Sequence, residues 1–107
     1  MNESDGYLAT HDDYKNALEA TKNGGKPLVV AFTATWCGPC VSMKPKYKSV
    51  MNDYPNVNVK IVDFDSNMDP FWDAGIQYLP TIKVFKDGKE SEHYEGGRDE
   101  ESFKGLF

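Results

Sequence analysis

The sequence predicts an α/β domain in which helices flank a central mixed β-sheet, and three observations predict it. Leu28-Val29-Val30-Ala31-Phe32 is an unbroken apolar run behind Pro27, the pattern of a strand buried on both faces. Stretches of helical period alternate with strand-like stretches along the chain, which calls for parallel crossovers. Near the end, Lys86-Asp87-Gly88-Lys89 joins two strand-like runs and is a strong hairpin signal, so the sheet closes with antiparallel neighbours.

Taken in order, Tyr7-Leu8-Ala9 is expected to form a short first strand, and Thr10 with Asp13 has the spacing of a capping box that opens a helix. Tyr14, Ala17, Leu18 and Thr21 share one face of that helix, and Asn23-Gly24-Gly25 stops it. The apolar strand from Leu28 follows. Met43, Tyr47, Val50, Met51 and Tyr54 then recur at helical intervals in a long helix that must end before Pro55, and Pro45 within it predicts a kink. Val57, Val59 and Ile61 alternate as a strand leading into Asp63-Phe64-Asp65, and Met68 to Ala74 reads as a short helix closed by Gly75. Thr81 to Phe85 and Glu90 to Tyr94 are the hairpin strands, and Arg98 to Phe107 is expected to close the chain as a helix, with Asp99-Glu100-Glu101 complementing its dipole. The expected sheet thus has about five strands and about four helices. With 107 residues there is room for one core and not for two, so residues 1–107 are expected to form a single domain.

Composition narrows the function. Hydrophobic residues make up 39% of the chain and charged ones 27%, enough apolar surface for a packed core. The net charge of -5 opposes nucleic acid or an anionic membrane surface as the main partner and favours proteins. Met1 to Leu8 has neither a basic nor an apolar segment of the kind that directs secretion, and no apolar run approaches transmembrane length. A cytoplasmic location is therefore the expectation.

Both cysteines fall in Trp36-Cys37-Gly38-Pro39-Cys40, and that concentration points to chemistry. Two thiols separated by two residues, the first opening a helix, can cycle between dithiol and disulfide, because a helix N-terminus stabilises a thiolate. An inert crosslink is the weaker reading, since closing a two-residue loop removes little chain entropy. A tetrahedral zinc would need two further ligands, and His11 and His93 stand alone on expected helix and strand surfaces, so no metal is assigned. Asp63 and Asp65 at a strand end are read as solvated in preference to a base pair supporting the site, and Trp72 and Tyr78 as packing for the short helix in preference to substrate contact. No nucleotide-binding glycine fingerprint occurs, so no cofactor is assigned.

With Trp36-Cys37-Gly38-Pro39-Cys40 after a buried strand, Pro45 in the next helix, Leu79-Pro80-Thr81 before a strand, Lys86-Asp87-Gly88 and Gly96 after the last strand, the chain resembles thioredoxin over nearly its whole length. The resemblance implies the thioredoxin fold and a protein disulfide reductase in which Cys37 is the exposed nucleophile, Cys40 the resolving thiol and Pro80 a cis-proline beside them. It implies that Trp36, Gly38, Pro39, Phe64, Leu79, Pro80, Gly96 and Gly97 form the surface where substrates dock. It further implies a monomer that takes electrons from thioredoxin reductase or an equivalent donor and passes them to disulfide-containing proteins. A disulfide isomerase or oxidase, a glutathione-dependent variant, and a redox-independent binding module built around Pro80 are the alternatives. Four positions depart from the family. Most thioredoxins have a buried Asp where this chain has Ala31 and many have a Lys where it has Ile61, so a buried charged pair is expected to be replaced by two apolar residues. Thr33 stands in place of an aromatic residue, and Val41 follows Cys40 where a basic residue is common.

Overall fold

A computed structural model describes residues 6–96, and the account that follows is confined to them. The elements run α1 (His11–Glu19), β1 (Leu28–Thr33), α2 (Gly38–Asp53), β2 (Asn58–Asp63), α3 (Asp69–Ala74), β3 (Thr81–Lys86) and β4 (Lys89–Glu95). The sheet order is β2-β1-β3-β4, with β1 parallel to β2 and antiparallel to β3, and β3 antiparallel to β4. The apolar run at β1 is thus central, and all six of its residues are buried.

Alternation along β1 sorts the core into two layers. Val29 and Ala31 point to one face, where Met43, Tyr47 and Val50 of α2 cover them together with Val59, Ile61, Ile82 and Val84. Leu28, Val30 and Phe32 point to the other, against Tyr14 of α1, Phe71 of α3, Val62 and Phe85. Among the described residues, one helix therefore covers one face and two shorter helices the other. This is the mixed α/β architecture expected from the sequence.

Local chemistry accounts for the ends of the elements. Thr10 Oγ1 accepts the Asp13 amide at 3.1 Å and the Asp13 carboxylate accepts the Thr10 amide at 3.2 Å, the reciprocal capping box that starts α1. Gly75, at φ 67°, closes α3 in the left-handed conformation that a residue without Cβ adopts freely. The β3–β4 turn has Asp87 and Gly88 both at positive φ, as a tight hairpin that follows the twist of the strands requires. α2 is a continuous helix through Pro45 and stops at Asp53, ahead of Pro55.

One expectation needs correction and another falls outside the described residues. Tyr7-Leu8-Ala9 does not form a strand but a single parallel bridge, Tyr7 to Ile61, flanked by hydrogen bonds from Leu8 N to Ile61 O and from Ile61 N to Gly6 O. The peptide turns away immediately afterwards to enter the Thr10 cap, which leaves no length for a ladder. The closing helix expected over Arg98 to Phe107 lies outside the described residues.

Candidate active site

β1 ends at Thr33 and delivers the chain to Cys37, the N-cap of α2. Gly38 and Pro39 take the first two helical positions, where a proline's missing N–H leaves no bond unmade. The Cys37 sulfur accepts the Cys40 amide at 3.3 Å, so one of the otherwise unpaired N–H groups at the start of a sixteen-residue helix is satisfied by that sulfur. Cys37 and Cys40 are joined as a disulfide, with their Cα atoms 5.2 Å apart. Cys37 is 9% exposed and Cys40 fully buried, so an incoming reactant reaches the first sulfur and not the second.

Three loops at the same end of the sheet surround the pair. Ala34, Cys37 and Cys40 form a small buried cluster against which Phe64 and Leu79 pack, Phe64 following β2 and Leu79 preceding β3. The Leu79–Pro80 peptide bond is cis. Gly96, at the end of β4, donates its N–H to the Pro80 carbonyl at 2.8 Å, which joins it to the same loop. The structure thus brings Trp36, Gly38, Pro39, Phe64, Leu79, Pro80 and Gly96 to one end of the molecule, while Gly97 lies outside the described residues.

The sheet face that α2 covers, reached by Met43 one turn after Cys40, is apolar. Ala31 is fully buried and sits in register between Ile61 of β2 and Ile82 of β3, with Met43 and Tyr47 in the same cluster. Ile61 is therefore the direct neighbour of Ala31, and the place of the family's charged pair is taken by two hydrocarbon side chains. Burial pushes the Tyr47 phenol well above its ordinary pKa, so it stays protonated at neutral pH and is no base there. Thr33 is likewise buried and its hydroxyl faces the Val62 carbonyl at 3.5 Å.

Several polar and aromatic side chains act differently from the sequence reading. Asp65 is exposed, yet its carboxylate accepts Trp36 Nε1 at 3.2 Å and Thr35 Oγ1 at 3.1 Å, fastening the indole that precedes Cys37. The signal for it was the parallel pairing of β1 and β2, which sets the loops after both strands side by side. Asp63 is buried instead of solvated, and its carboxylate accepts the Ser66 amide and hydroxyl at 3.2 Å each, tying the turn after β2. His11 is not isolated: Nε2 meets the Asp73 carboxylate at 2.5 Å, linking α1 to α3. His93 lies 3.3 Å from Glu95. Trp72 and Tyr78 are not packed away but 65% and 60% exposed, although Trp72 keeps an edge-to-face contact with Phe64.

Comparison with known proteins agrees with this geometry. The family model described as Thioredoxin matches residues 7–106. A thioredoxin of Geodia cydonium is 38% identical over 94 residues, covering 88% of this chain and 87% of its own. The protein disulfide-isomerase tigA of Aspergillus niger is 39% identical over 99 residues, which span 87% of this chain but 27% of that protein. Among solved structures, Fasciola hepatica thioredoxin superposes with a TM-score of 0.83 at 32% identity, covering 94% of this chain and 93% of its own. A buried strand running into a cysteine pair at a helix start, a cis-proline loop beside it and relatives of this similarity lead to one conclusion: the chain belongs to the thioredoxin family of protein disulfide oxidoreductases.

Proposed function

We propose that the chain reduces disulfides of other proteins with Cys37 as the attacking thiolate and Cys40 as the resolving thiol. The observation that carries this reading is the asymmetry of the pair: Cys37 caps α2, receives the Cys40 amide and reaches the surface, whereas Cys40 is fully buried. In the dithiol form the Cys37 thiolate attacks one sulfur of a substrate disulfide, forming a mixed disulfide and expelling the other substrate sulfur as thiolate. The Cys40 thiolate then attacks the Cys37 sulfur. The second substrate thiolate leaves, the Cys37–Cys40 disulfide forms, and two electrons have passed to the substrate. Thioredoxin reductase or an equivalent donor returns them, and the cycle draws on no bound cofactor or metal.

Trp36, Gly38, Pro39, Phe64, Leu79, Pro80, Gly96 and Gly97 are the proposed docking surface, on which an extended substrate segment pairs with the backbone at Leu79. Backbone pairing does not read side chains, which suits many partners. We take residues 1–107 as one domain acting as a monomer in the cytoplasm; the acidic net charge and the absence, among the described residues, of a helix long and apolar enough to cross a membrane accord with that.

The apolar floor at Ala31, Ile61 and Ile82 gives this site its own character. With Ala31 paired to Ile61 and Ile82, no carboxylate stands in register there among the described residues to assist deprotonation of Cys40, so water or a substrate group takes the proton and resolution of the mixed disulfide is the slow step. The isomerase or oxidase reading draws on the likeness to the Aspergillus niger disulfide-isomerase, since slow resolution favours reshuffling over net reduction.

Insulin reduction with NADPH and thioredoxin reductase tests the proposal. Turnover is expected from the parent chain, with a loss of a thousandfold or more in Cys37→Ser and accumulation of mixed disulfide in Cys40→Ser. A Cys37→Ser, Cys40→Ser chain with full biological activity would instead establish the binding-module reading.

A further inference from the structure

We propose that a cavity at the outer edge of β2, at the end of the sheet opposite the cysteines, binds a small organic anion: one carboxylate or phosphate group on a short hydrocarbon body. The cavity measures about 370 Å³, within the roughly 300–1,000 Å³ of small-molecule sites. Among the described residues its lining includes Lys26, Asn58 and Lys60 and no carboxylate, although the chain as a whole carries a net charge of -5. Met51, Pro55 and Val57 supply the apolar part of the wall. Two cations beside an apolar wall suit a guest with an anionic head and a hydrocarbon body.

The backbone carries the two lysines on adjoining segments. Lys26 precedes Pro27, whose carbonyl accepts the Asn58 N–H at 2.9 Å, and Lys60 stands two residues further along β2. The Lys26 ammonium donates to the Pro55 carbonyl at 2.9 Å, which fixes its position and leaves its other protons for a ligand. None of the ion pairs among the described residues uses Lys26 or Lys60. The strand edge adds a backbone donor. Ile61 directs its N–H to Gly6 and its C=O to Leu8, away from β1, and Val59, two residues earlier, directs its own groups to the same edge. Val59 lines the cavity, and those groups meet no partner among the described residues.

A lysine alone on an edge strand only discourages pairing with another chain. Here the second lysine comes from the loop before β1 and both border one concavity, an arrangement that edge protection does not require. An ammonium is a compact point charge without the planar fork of arginine, so it sets little geometry on the anion and either carboxylate or phosphate satisfies it. The length of β1 and β2 separates the cavity from the cysteine loops, about 20 Å at roughly 3.3 Å per residue. Binding there is therefore independent of the disulfide chemistry.

The test titrates the isotope-labelled full chain with hexanoate and hexyl phosphate, beside acetate and hexylammonium, and follows the amides of Asn58, Val59 and Lys60 by NMR. At least one of the two hexyl anions is expected to give saturable shifts at those amides, with acetate about tenfold weaker and hexylammonium without effect. Lys26→Gln and Lys60→Gln should each weaken binding about fivefold or more, while Lys86→Gln, at the exposed end of β3, leaves it unchanged. Absence of saturable shifts with both hexyl anions, equal binding of acetate or hexylammonium, or an affinity unchanged in either Lys26→Gln or Lys60→Gln overturns the site. The readout does not involve the cysteines, so it stands or falls apart from the reductase reading.

Discussion

On the α2 face of the sheet, Ala31 lies between Ile61 and Ile82 under Met43 and Tyr47, and the buried side chains around it are hydrocarbon, thioether and phenol. On the opposite face, Lys83 is also buried, but its ammonium reaches the Ala74 carbonyl and the Glu90 carboxylate, while His11 meets Asp73 nearby. Both faces support the same end of the molecule. One does so by excluding charge beneath the cysteines, the other by pairing charge behind the loops that flank them. A buried ion is tolerable only with partners, so the two faces should respond oppositely to gain and loss of charge.

The largest effect is expected from placing a charge on the apolar face. Ala31→Asp puts a carboxylate among isoleucines with no cation in register, and we expect it to lower unfolding free energy by about 3 kcal/mol, measured by guanidinium melts at pH 7. A loss below about 1 kcal/mol would mean that the floor is wetter than its packing implies.

The second prediction concerns pH. Burial, aided by the carboxylates of Asp73 and Glu90, raises the Tyr14 phenol from 10.0 to about 12. The unfolded chain releases this proton first, so the contribution is complete below about pH 10 and is lost as pH climbs toward 12, by roughly 3 kcal/mol in all. Tyr14→Phe should flatten that part of a stability-versus-pH curve. An unchanged slope would assign the loss to other groups, Tyr47 foremost.

The smallest effect sharpens the paired face. Glu90→Ala removes the charged partner of a buried ammonium that keeps the Ala74 carbonyl, and should cost about 1–2 kcal/mol, moderated because Glu90 is itself partly in solvent. Lys83→Met removes the charge and keeps the bulk, and should cost less than about 1 kcal/mol. Urea melts of the two variants give the comparison directly, and the reverse order would contradict it.

Patterns that act within one element were legible in the sequence. The apolar run of β1, the Thr10–Asp13 box, the stop at Gly75 and the Asp87-Gly88 turn each specify local backbone, and each stands where it was expected. The strand expected at Tyr7 shrank to a bridge because the α1 cap competes for the same few residues. What escaped the reading were partners remote along the chain. Trp36 and Asp65 are 29 positions apart and His11 and Asp73 are 62 apart, and only the assembled topology makes them neighbours. The exposure of Trp72 and Tyr78 escaped for a related reason: an aromatic residue near a short helix has the same local pattern whether it faces the core or a groove.

The claim that ties the chemistry to the fold is that an apolar floor under Cys40 makes resolution of the mixed disulfide the slow step. Its direct test is the lifetime of the Cys37–insulin mixed disulfide in single turnovers, quenched with acid and followed by mass spectrometry, for the parent, Ala31→Asp and Ala31→Asn at neutral pH and below their melting temperatures. A carboxylate beneath Cys40 is expected to shorten that lifetime by roughly tenfold or more, as general-base assistance does, while the isosteric amide leaves it near the parent value. Equal lifetimes in all three chains would contradict the account.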